Sequence, residues 1–453
     1  MAIRQTCLTR RDWIDSWIIV ASGVNRRGGL ERANYFLVRR LAERCQHVTV
    51  ICFDADADLD GQNLITVLRL RPLLGPDIFR EEQLRLQSPG VIRSLLRKTP
   101  GSIVVVNGGN CCWRAVNWVH CIYKAWQPRD RDSPGWFKLK NRAHFYLARR
   151  SELKALRQAR FAIAVSDKVK QEIRTLGISA PVTVVRPGSD DIADSLIVDR
   201  SDGSAFRGGP GSAFTILFVS GLGYDNNKNL DTVLRALVAV ADCNVCLLIA
   251  GAGRAHTFWK ERCAQLAIGN RVRFVGFCDD MPRLFAAADL LVAPSYYEAY
   301  GVAMHEAASR GIPVITHENT GFAELYPKTL ADFLTKTPDD VDELAAKIRR
   351  CYASPEWTQA SNIVLRAKDE ALSATRVRPQ EPEEEPEAVQ TEVPEPQIAE
   401  DRRARLAAER ADPTLRMRRK AIEGLMAIGL TEQQAEDSVQ RATLQKKETL
   451  QKG

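Results

Sequence analysis

The sequence predicts an α/β protein of two doubly wound domains in tandem, followed by an acidic linker and a short helical extension. Three observations predict it. Near-continuous β-branched and aliphatic runs recur from Trp17 to Ile315, each followed by a stretch with helical apolar spacing. Strands buried on both faces read this way, because parallel neighbours need a crossover helix between them. A Gly-rich stretch over 200–213 interrupts the series once, after which it restarts. The composition then changes abruptly beyond residue 376. With 453 residues, 45% of them apolar and 26% charged, the chain can hold two or three domains with enough core to fold unaided.

The first domain is placed at 1–199. Trp17-Ile-Ile-Val20 is its first strand, followed by a Gly-containing loop and a helix from Leu30 to Arg44. His47-Val-Thr-Val-Ile-Cys52, Ser102-Ile-Val-Val-Val106, Phe161-Ala-Ile-Ala-Val165 and Val182-Thr-Val-Val185 continue the series. Residues 200–213 read as a flexible hinge. The second domain, 214–376, opens on Phe214-Thr-Ile-Leu-Phe-Val219 and continues through Val245-Cys-Leu-Leu-Ile249, Val272-Arg-Phe-Val275, Asp289-Leu-Leu-Val292 and Pro313-Val-Ile315. Ligands of such folds lie outside the carboxyl ends of the strands, here in the cleft between domains. The Glu- and Pro-rich stretch within 377–400 has no Lys or Arg after Arg378. It cannot bury enough apolar surface to order itself and reads as a disordered linker. In the extension, 401–453, Ala421-Ile-Glu-Gly-Leu-Met-Ala-Ile428 has helical spacing, Gly429 suits a C-cap, and Thr431-Glu-Gln-Gln434 is a capping-box start.

The net charge of +8 and pI near 8.9 fit either nucleic acid or an anionic membrane surface. No basic repeat with interleaved aromatics and no nucleic-acid motif is present, which argues against nucleic acid. No run of about 18 apolar residues exists to span a bilayer, and the run after Arg10-Arg11 is too short for a signal peptide. The eleven cysteines are scattered. Cys243-Asn-Val-Cys246 has a metal-like spacing, but it lies in a strand pattern without a second pair and reads as buried thiols. This usage suits a reducing cytoplasm.

The most informative stretch is Glu298-Ala-Tyr-Gly-Val-Ala-Met-His-Glu306, between the apolar strands Leu290-Leu-Val-Ala-Pro294 and Ile312-Pro-Val-Ile315. The pattern predicts a helix from near Gly301 to Arg310, with Glu298 in the loop before it and Glu306 inside it, on one face with Val302. The free N–H groups from Gly301 to Ala303 then point into the crevice at the strand ends and attract an anion. Two Glu on an ordinary solvated surface helix are the plain alternative.

This stretch resembles the family 4 (group 1) retaining glycosyltransferases, which have the GT-B fold of two Rossmann-like domains. Their signature is Glu-x7-Glu with an aromatic-Gly pair after the first Glu, matched by Tyr300-Gly301. The lead-in Pro294-Ser295, the exit Gly311-Ile-Pro-Val314 and Gly321-Phe-Ala-Glu-Leu325 match as well. The resemblance implies that Glu298 lies by the donor sugar and that Glu306 accepts hydrogen bonds from the ribose hydroxyls. It places Tyr300, Gly301 and Val302 at the donor. It also implies a nucleotide diphosphate sugar as co-substrate, with no metal and no further cofactor.

In Gly221-Leu-Gly-Tyr-Asp-Asn-Asn-Lys228-Asn229, Lys228 matches the family's diphosphate-binding Lys. The Arg that usually accompanies it is missing: Leu222 and Asn227 stand in the expected places. Lys228, the helix N-terminus and a nearby residue such as Arg254 are the available replacements. The loop before the first helix carries Gly28-Gly29, which in the family faces the diphosphate and acceptor; a mere tight turn fits the same residues. His120, in Val116-Asn-Trp-Val-His120, is expected one helix after the strand ending at Val106. The family resemblance gives it a sugar-positioning role, and a satisfied, partly buried His is the alternative. Gly251 and Gly253 are expected to line the nucleotide pocket, Phe277 to contact the base, and His305 to be structural.

Some features point elsewhere. Asp56-Ala-Asp58-Leu-Asp60-Gly61 copies the start of a calcium loop but has Val67 where the bidentate Glu belongs. Asp54-Ala-Asp56 imitates the Asp-x-Asp of one-domain glycosyltransferases; solvated acidic residues are the reading adopted. A helical stretch over 137–160, rich in Lys and Arg with Phe137, Leu139, Phe145, Tyr146 and Leu147, suits either an anionic membrane or plain solvent. The helix–Gly-Leu–helix of the extension is similar to a ubiquitin-associated-type module, and a helical hairpin docking on its own or a partner subunit fits equally.

The sequence and the resemblance together predict a cytoplasmic glycosyltransferase, either free or associated with the inner face of the membrane, acting on a saccharide or lipid-linked saccharide. Domain closure about 200–213 is expected to exclude water. The alternative is a catalytically degenerate scaffold that binds a protein partner through its tail; an epimerase or phosphorylase on the same fold is a third reading.

Overall fold

The computed structural model describes residues 16–44, 46–72, 80–130, 133–187 and 213–354, together with Gly203 and Phe206. The acidic linker, the helical extension and most of the expected hinge lie outside the described residues. The first domain runs β1 (Ser16–Val20), β2 (Gly23–Val24), α1 (Gly29–Glu43), β3 (His47–Cys52), β4 (Asp54–Ala55), β5 (Ile65–Arg69), α2 (Arg80–Lys98), β6 (Ile103–Asn107), β7 (Val116–Val119), α3 (Gly135–Gln158), β8 (Phe161–Ala164), α4 (Asp167–Thr175) and β9 (Val182–Val184). Seven of its strands form one sheet in the order β5-β3-β1-β6-β7-β8-β9, every pairing parallel. The order reverses beside β1, so the first strand is central and its aliphatic run is buried on both faces.

The second domain runs β10 (Phe214–Val219), α5 (Leu230–Ala239), β11 (Val245–Ala250), α6 (His256–Gln265), β12 (Val272–Gly276), α7 (Met281–Ala286), β13 (Leu290–Ala293), α8 (Val302–Ser309), β14 (Val314–His317), β15 (Leu334–Thr335) and α9 (Val341–Ala353). Its six-stranded parallel sheet, β12-β11-β10-β13-β14-β15, repeats the same reversal around β10. Phe218, Phe285, Phe322 and Phe333 are fully buried in its core. Each contributes on the order of 1.5–3 kcal/mol relative to exposure. The architecture is the predicted pair of Rossmann-like halves.

Three expectations need correction. His120 does not follow a helix. Residues 108–115 are turns and loop, and Val116-Asn-Trp-Val119 is itself strand β7, hydrogen-bonded between β6 and β8. The Gly108-Gly109-Asn110 turn leaves too short a connection for a crossover helix. The strands β5 and β15 were not anticipated either. Both are sheet-edge strands, and β5 is only partly buried, so it lacks the continuous apolar run of a central strand. Finally, two residues of the expected free hinge are packed. A Cβ on Gly203 would meet the Ala287 backbone nitrogen at 2.4 Å, and Phe206 packs on the second core, its carbonyl accepting from Arg273 at 3.2 Å.

The two halves are joined through the loop after β13. Tyr297, Ala299 and Tyr300 belong by sequence to the second domain, yet they pack into the core of the first. The Tyr297 hydroxyl accepts from the Ile122 N–H at 2.8 Å and donates to Glu172 at 2.9 Å. Its ring stacks on Trp126, with centroids 5.9 Å apart and an 8° interplanar angle. At the start of α4, Ser166 caps the helix by accepting from the Val169 N–H at 3.1 Å and donates to the Ala299 carbonyl at 2.6 Å. Glu324 of the second domain accepts from the Asp167 and Lys168 N–H groups of the same helix end, where a carboxylate is favoured by unpaired donors and the dipole. That contact explains the Gly321–Leu325 stretch. Gly321 itself passes so close to Ala299 that a Cβ would sit 2.0 Å from its carbonyl oxygen.

Candidate active site

The carboxyl ends of the two sheets face each other across a cavity of about 330 Å³. Gly29 and Leu30 at the start of α1, His120 after β7, and Val165 after β8 line it from the first domain. Lys228, Ser295, Glu298 and the segment Tyr300–Met304 line it from the second. The site is built by strand-to-helix turns. After β13 the chain loops back through Glu298 and enters α8 at Gly301, whose φ of 100° is open to glycine and strained for other residues. A Cβ there would also press on Phe322 and Met304. No side chain caps α8, so its first N–H groups remain open to a ligand at the cavity wall.

Lys228 forms an ion pair with Glu298, so two of the three predicted catalytic groups, His120 being the third, meet. Lys228 stands one residue before Asn229, whose left-handed φ of 62° opens α5 and whose side-chain nitrogen holds the carbonyls of Pro294, at 3.3 Å, and of Pro338. The turn that aims Lys228 is thereby tied to the loop that carries Glu298. His120 rests against Trp118, ring centroids 4.5 Å apart. Its Nε2 and the Ser295 hydroxyl are buried and have no hydrogen-bond partner among the described residues. Both residues line the cavity, and each holds a buried polar atom that no described residue satisfies. Burial pushes the His120 ring down to about 3, so it is neutral at physiological pH.

The family model described as Glycosyltransferase Family 4 matches residues 27–191, and the one described as Glycosyl transferases group 1 matches residues 213–354. Together they cover the second sheet, the first sheet apart from β1, and well over half of the chain. The chain belongs to the family 4, group 1 glycosyltransferases. An uncharacterised glycosyltransferase of Methanocaldococcus jannaschii is 31% identical over 156 residues, 34% of this chain and 39% of that protein. The lipopolysaccharide glucosyltransferase WaaG of Escherichia coli is 28% identical over 126 residues, 27% of this chain and 33% of WaaG. The matches thus span under half the length of either relative. Among solved structures, WaaG superposes with a TM-score of 0.62 at 19% identity, covering 78% of this chain and 95% of that one. Anabaena HepE, in complex with UDP and glucose, gives 0.58 at 22% identity, covering 80% and 95%. These structures share the GT-B fold.

Within this family member the predicted residues fall into three groups. Glu298, His120, Lys228, Gly29, Tyr300, Gly301 and Val302 line one cavity. Gly28 and Glu306 adjoin it. Gly28, with φ 86°, is the residue before α1, and a Cβ on it would strike the Glu31 carboxylate at 2.7 Å. Glu306 lies inside α8, 6% exposed, in an ion pair with Arg32 of α1. Gly251, Gly253, Arg254 and Phe277 lie outside the cavity lining. The two glycines admit the neighbouring loop instead: a Cβ would come within 1.7 Å of the Ser220 carbonyl at Gly251 and 2.0 Å of the Leu222 carbonyl at Gly253. Arg254 is exposed, and so is the Phe277 ring, at 55%.

The two positions where an Arg was expected are closed to one. Leu222 is part of the second core, and the buried Asn227 amide donates to the Tyr297 carbonyl at 2.8 Å. His305 is structural as expected, bonded through Nδ1 to the Tyr300 hydroxyl. The acidic decoy is accounted for by Arg26, which pairs with Asp56 at 3.0 Å and Asp58 at 3.5 Å, and by Arg69, which pairs with Asp60 at 2.7 Å. Arg32 and Tyr297 escaped the sequence reading because their partners lie in the other domain.

His120 predicts a pH dependence. Its folded pKa lies below its unfolded value, so its contribution to stability is complete above about pH 6.5 and is eroded as the pH falls and the unfolded chain takes the proton. The slope is about 1.4 kcal/mol per pH unit between roughly 6.5 and 3. Glu152, pushed up to about 8 by burial, works in the opposite direction, so the useful quantity is a difference between proteins. In denaturant titrations, wild type is expected to lose about 2–3 kcal/mol relative to His120→Asn between pH 6.5 and 4.5. Parallel stability curves would show that the ring protonates freely in the folded state.

Proposed function

We propose that the protein transfers a sugar from a nucleotide diphosphate sugar to a hydroxyl of a saccharide or lipid-linked saccharide, with retention of anomeric configuration. The observation that carries this reading is the convergence of Lys228, Glu298, His120 and the uncapped start of α8 on one cavity between the domains. The α8 N–H groups and Lys228 hold the diphosphate and take up the charge it gains as the glycosidic bond breaks. Glu298 orients the donor sugar beside the anomeric carbon. Neutral His120 positions a sugar hydroxyl through Nε2 and moves no proton. The departing diphosphate oxygen takes the acceptor's proton. Glu306 receives the ribose diol, a carboxylate having lone pairs for both hydroxyls. Gly28 and Gly29 let the first-domain backbone approach the ligand. The packed interface around Tyr297 keeps water from the reacting centre and limits donor hydrolysis. Arg254 and Phe277, exposed and outside the cavity lining, are assigned to the nucleotide end. Two of the relatives, a lipopolysaccharide glucosyltransferase and a protein bound to UDP and glucose, support this donor and acceptor class.

The same reading places the protein in the cytoplasm at the inner face of a membrane. Among the described residues no helix is long and apolar enough to cross one. On α3, however, Trp136, Leu139 and Tyr146 are exposed, at 55%, 72% and 59%, among Lys138, Lys140, Arg142 and Arg150. Such a face suits adsorption to anionic lipid. Sedimentation with phosphatidylglycerol vesicles should retain the protein, phosphatidylcholine vesicles should not, and Leu139→Ala with Tyr146→Ala should weaken retention. Equal behaviour with both lipids would remove the membrane from this account.

Transfer and donor hydrolysis should be assayed with UDP-, GDP-, ADP- and dTDP-sugars. Lys228→Ala and Glu298→Ala are each expected to lower turnover at least about tenfold. Variants as active as wild type would remove these two groups from the chemistry. A protein that turns over none of the donors and binds none of them would favour the scaffold alternative.

A further inference from the structure

Among the described residues that line the cavity, the second domain supplies Lys228 as its cation for a group that carries several negative charges, and the two places where an Arg was expected are held by the buried Leu222 and Asn227. Resting on the donor-site reading above, we propose that Arg32 of the first domain supplies the missing cation, its guanidinium bridging Glu306 and the donor's diphosphate across the cleft. The geometry puts it beside the right place. Arg32 lies in the first turn of α1, its N–H bonded to the Gly28 carbonyl at 3.1 Å, and α1 begins at Gly29 on the cavity wall. There the start of α1 abuts the start of α8: a Cβ on Gly29 would touch Val302 at 3.4 Å. Two helix N-termini with their positive dipole ends thus meet where the diphosphate is expected, and Arg32 and Lys228 flank them.

The exposure of the ion pair leaves room for a second partner. The Glu306 side chain is 8% exposed, whereas that of Arg32 is 23% exposed. The carboxylate is enclosed, while about a quarter of the Arg32 side chain remains exposed, two residues along α1 from the Leu30 that lines the cavity. Guanidinium carries five donors in a planar fork and stays charged at any relevant pH, so it can hold a carboxylate on one edge and a phosphate on another. The arrangement ties the ribose clamp to the diphosphate clamp through one side chain. It also makes donor binding a property of both domains, since the cation comes from one and the helix end from the other. A simple latch would behave differently: an Arg32 that only holds the domains shut through Glu306 competes with the ribose, and its removal frees the site.

Calorimetric titration of the full-length protein with UDP, GDP and ADP, and with the matching monophosphates, separates these roles. For each diphosphate that binds, Arg32→Ala is expected to weaken affinity at least about tenfold and to cut the preference for diphosphate over monophosphate by a similar factor. Arg32→Lys, keeping the charge without the fork, should fall between the two. It also carries the comparison should Arg32→Ala fail to give a cooperative thermal melt. Equal weakening of both ligands, or tighter diphosphate binding by the variant, would overturn this assignment and leave the donor site standing. Wild-type protein that binds none of the three diphosphates would overturn the donor site, and Arg32's role with it.

Discussion

The structure depends on a loop that is encoded in one domain and buried in the other. Residues 294–301 leave the second sheet at β13, thread Tyr297, Ala299 and Tyr300 into the first core, and return to start α8. Tyr297 carries most of that anchoring through its stack on Trp126 and its hydroxyl bonds to Ile122 and Glu172. Glu298 sits between two anchored residues, so both domains fix its position. On the proposed function, a carboxylate held this way is preorganised only while the domains are together, which ties their association to the chemistry.

Electrostatics reinforces the same coupling. Removing charge from water is costly unless each charge finds a partner. The cleft follows that rule across the interface: Glu306 of the second domain meets Arg32 of the first, Glu324 meets the N-terminus of α4, and Arg186 approaches Glu324 at 3.2 Å. Within the second domain Lys228 meets Glu298. Three of these contacts set a cationic side chain beside a carboxylate, and the fourth sets a carboxylate on a helix N-terminus. A donor therefore replaces partners that are already paired, and neither carboxylate is left buried and uncompensated when the site is empty.

The parts of this arrangement that were legible in the sequence are local. The strand, loop and helix from Leu290 to Ser309 lie within twenty or so residues, and the Gly at the helix entry and the two Glu read directly as an anion site. Aliphatic runs located the central strands, because those are buried on both faces. The edge strands β5 and β15 carried no such run, and β7 was concealed behind a turn mistaken for room enough for a helix. Gly251 and Gly253 were expected to line the nucleotide pocket, but what comes close to them is the 220–222 backbone. Arg32 and Tyr297 were illegible because each acquires its meaning from a residue more than 170 positions away. No periodicity or spacing connects α1 to α8 before the domains close.

The most direct measurement is a crystal structure of the protein with whichever nucleoside diphosphate raises its melting temperature most. The account predicts pyrophosphate density at the start of α8, contacted by Lys228, with Glu298 and His120 facing the vacant sugar position and Glu306 on the ribose. Density elsewhere on the second domain, or a cleft that stays unaltered at saturating ligand with Lys228 still paired to Glu298, would contradict it.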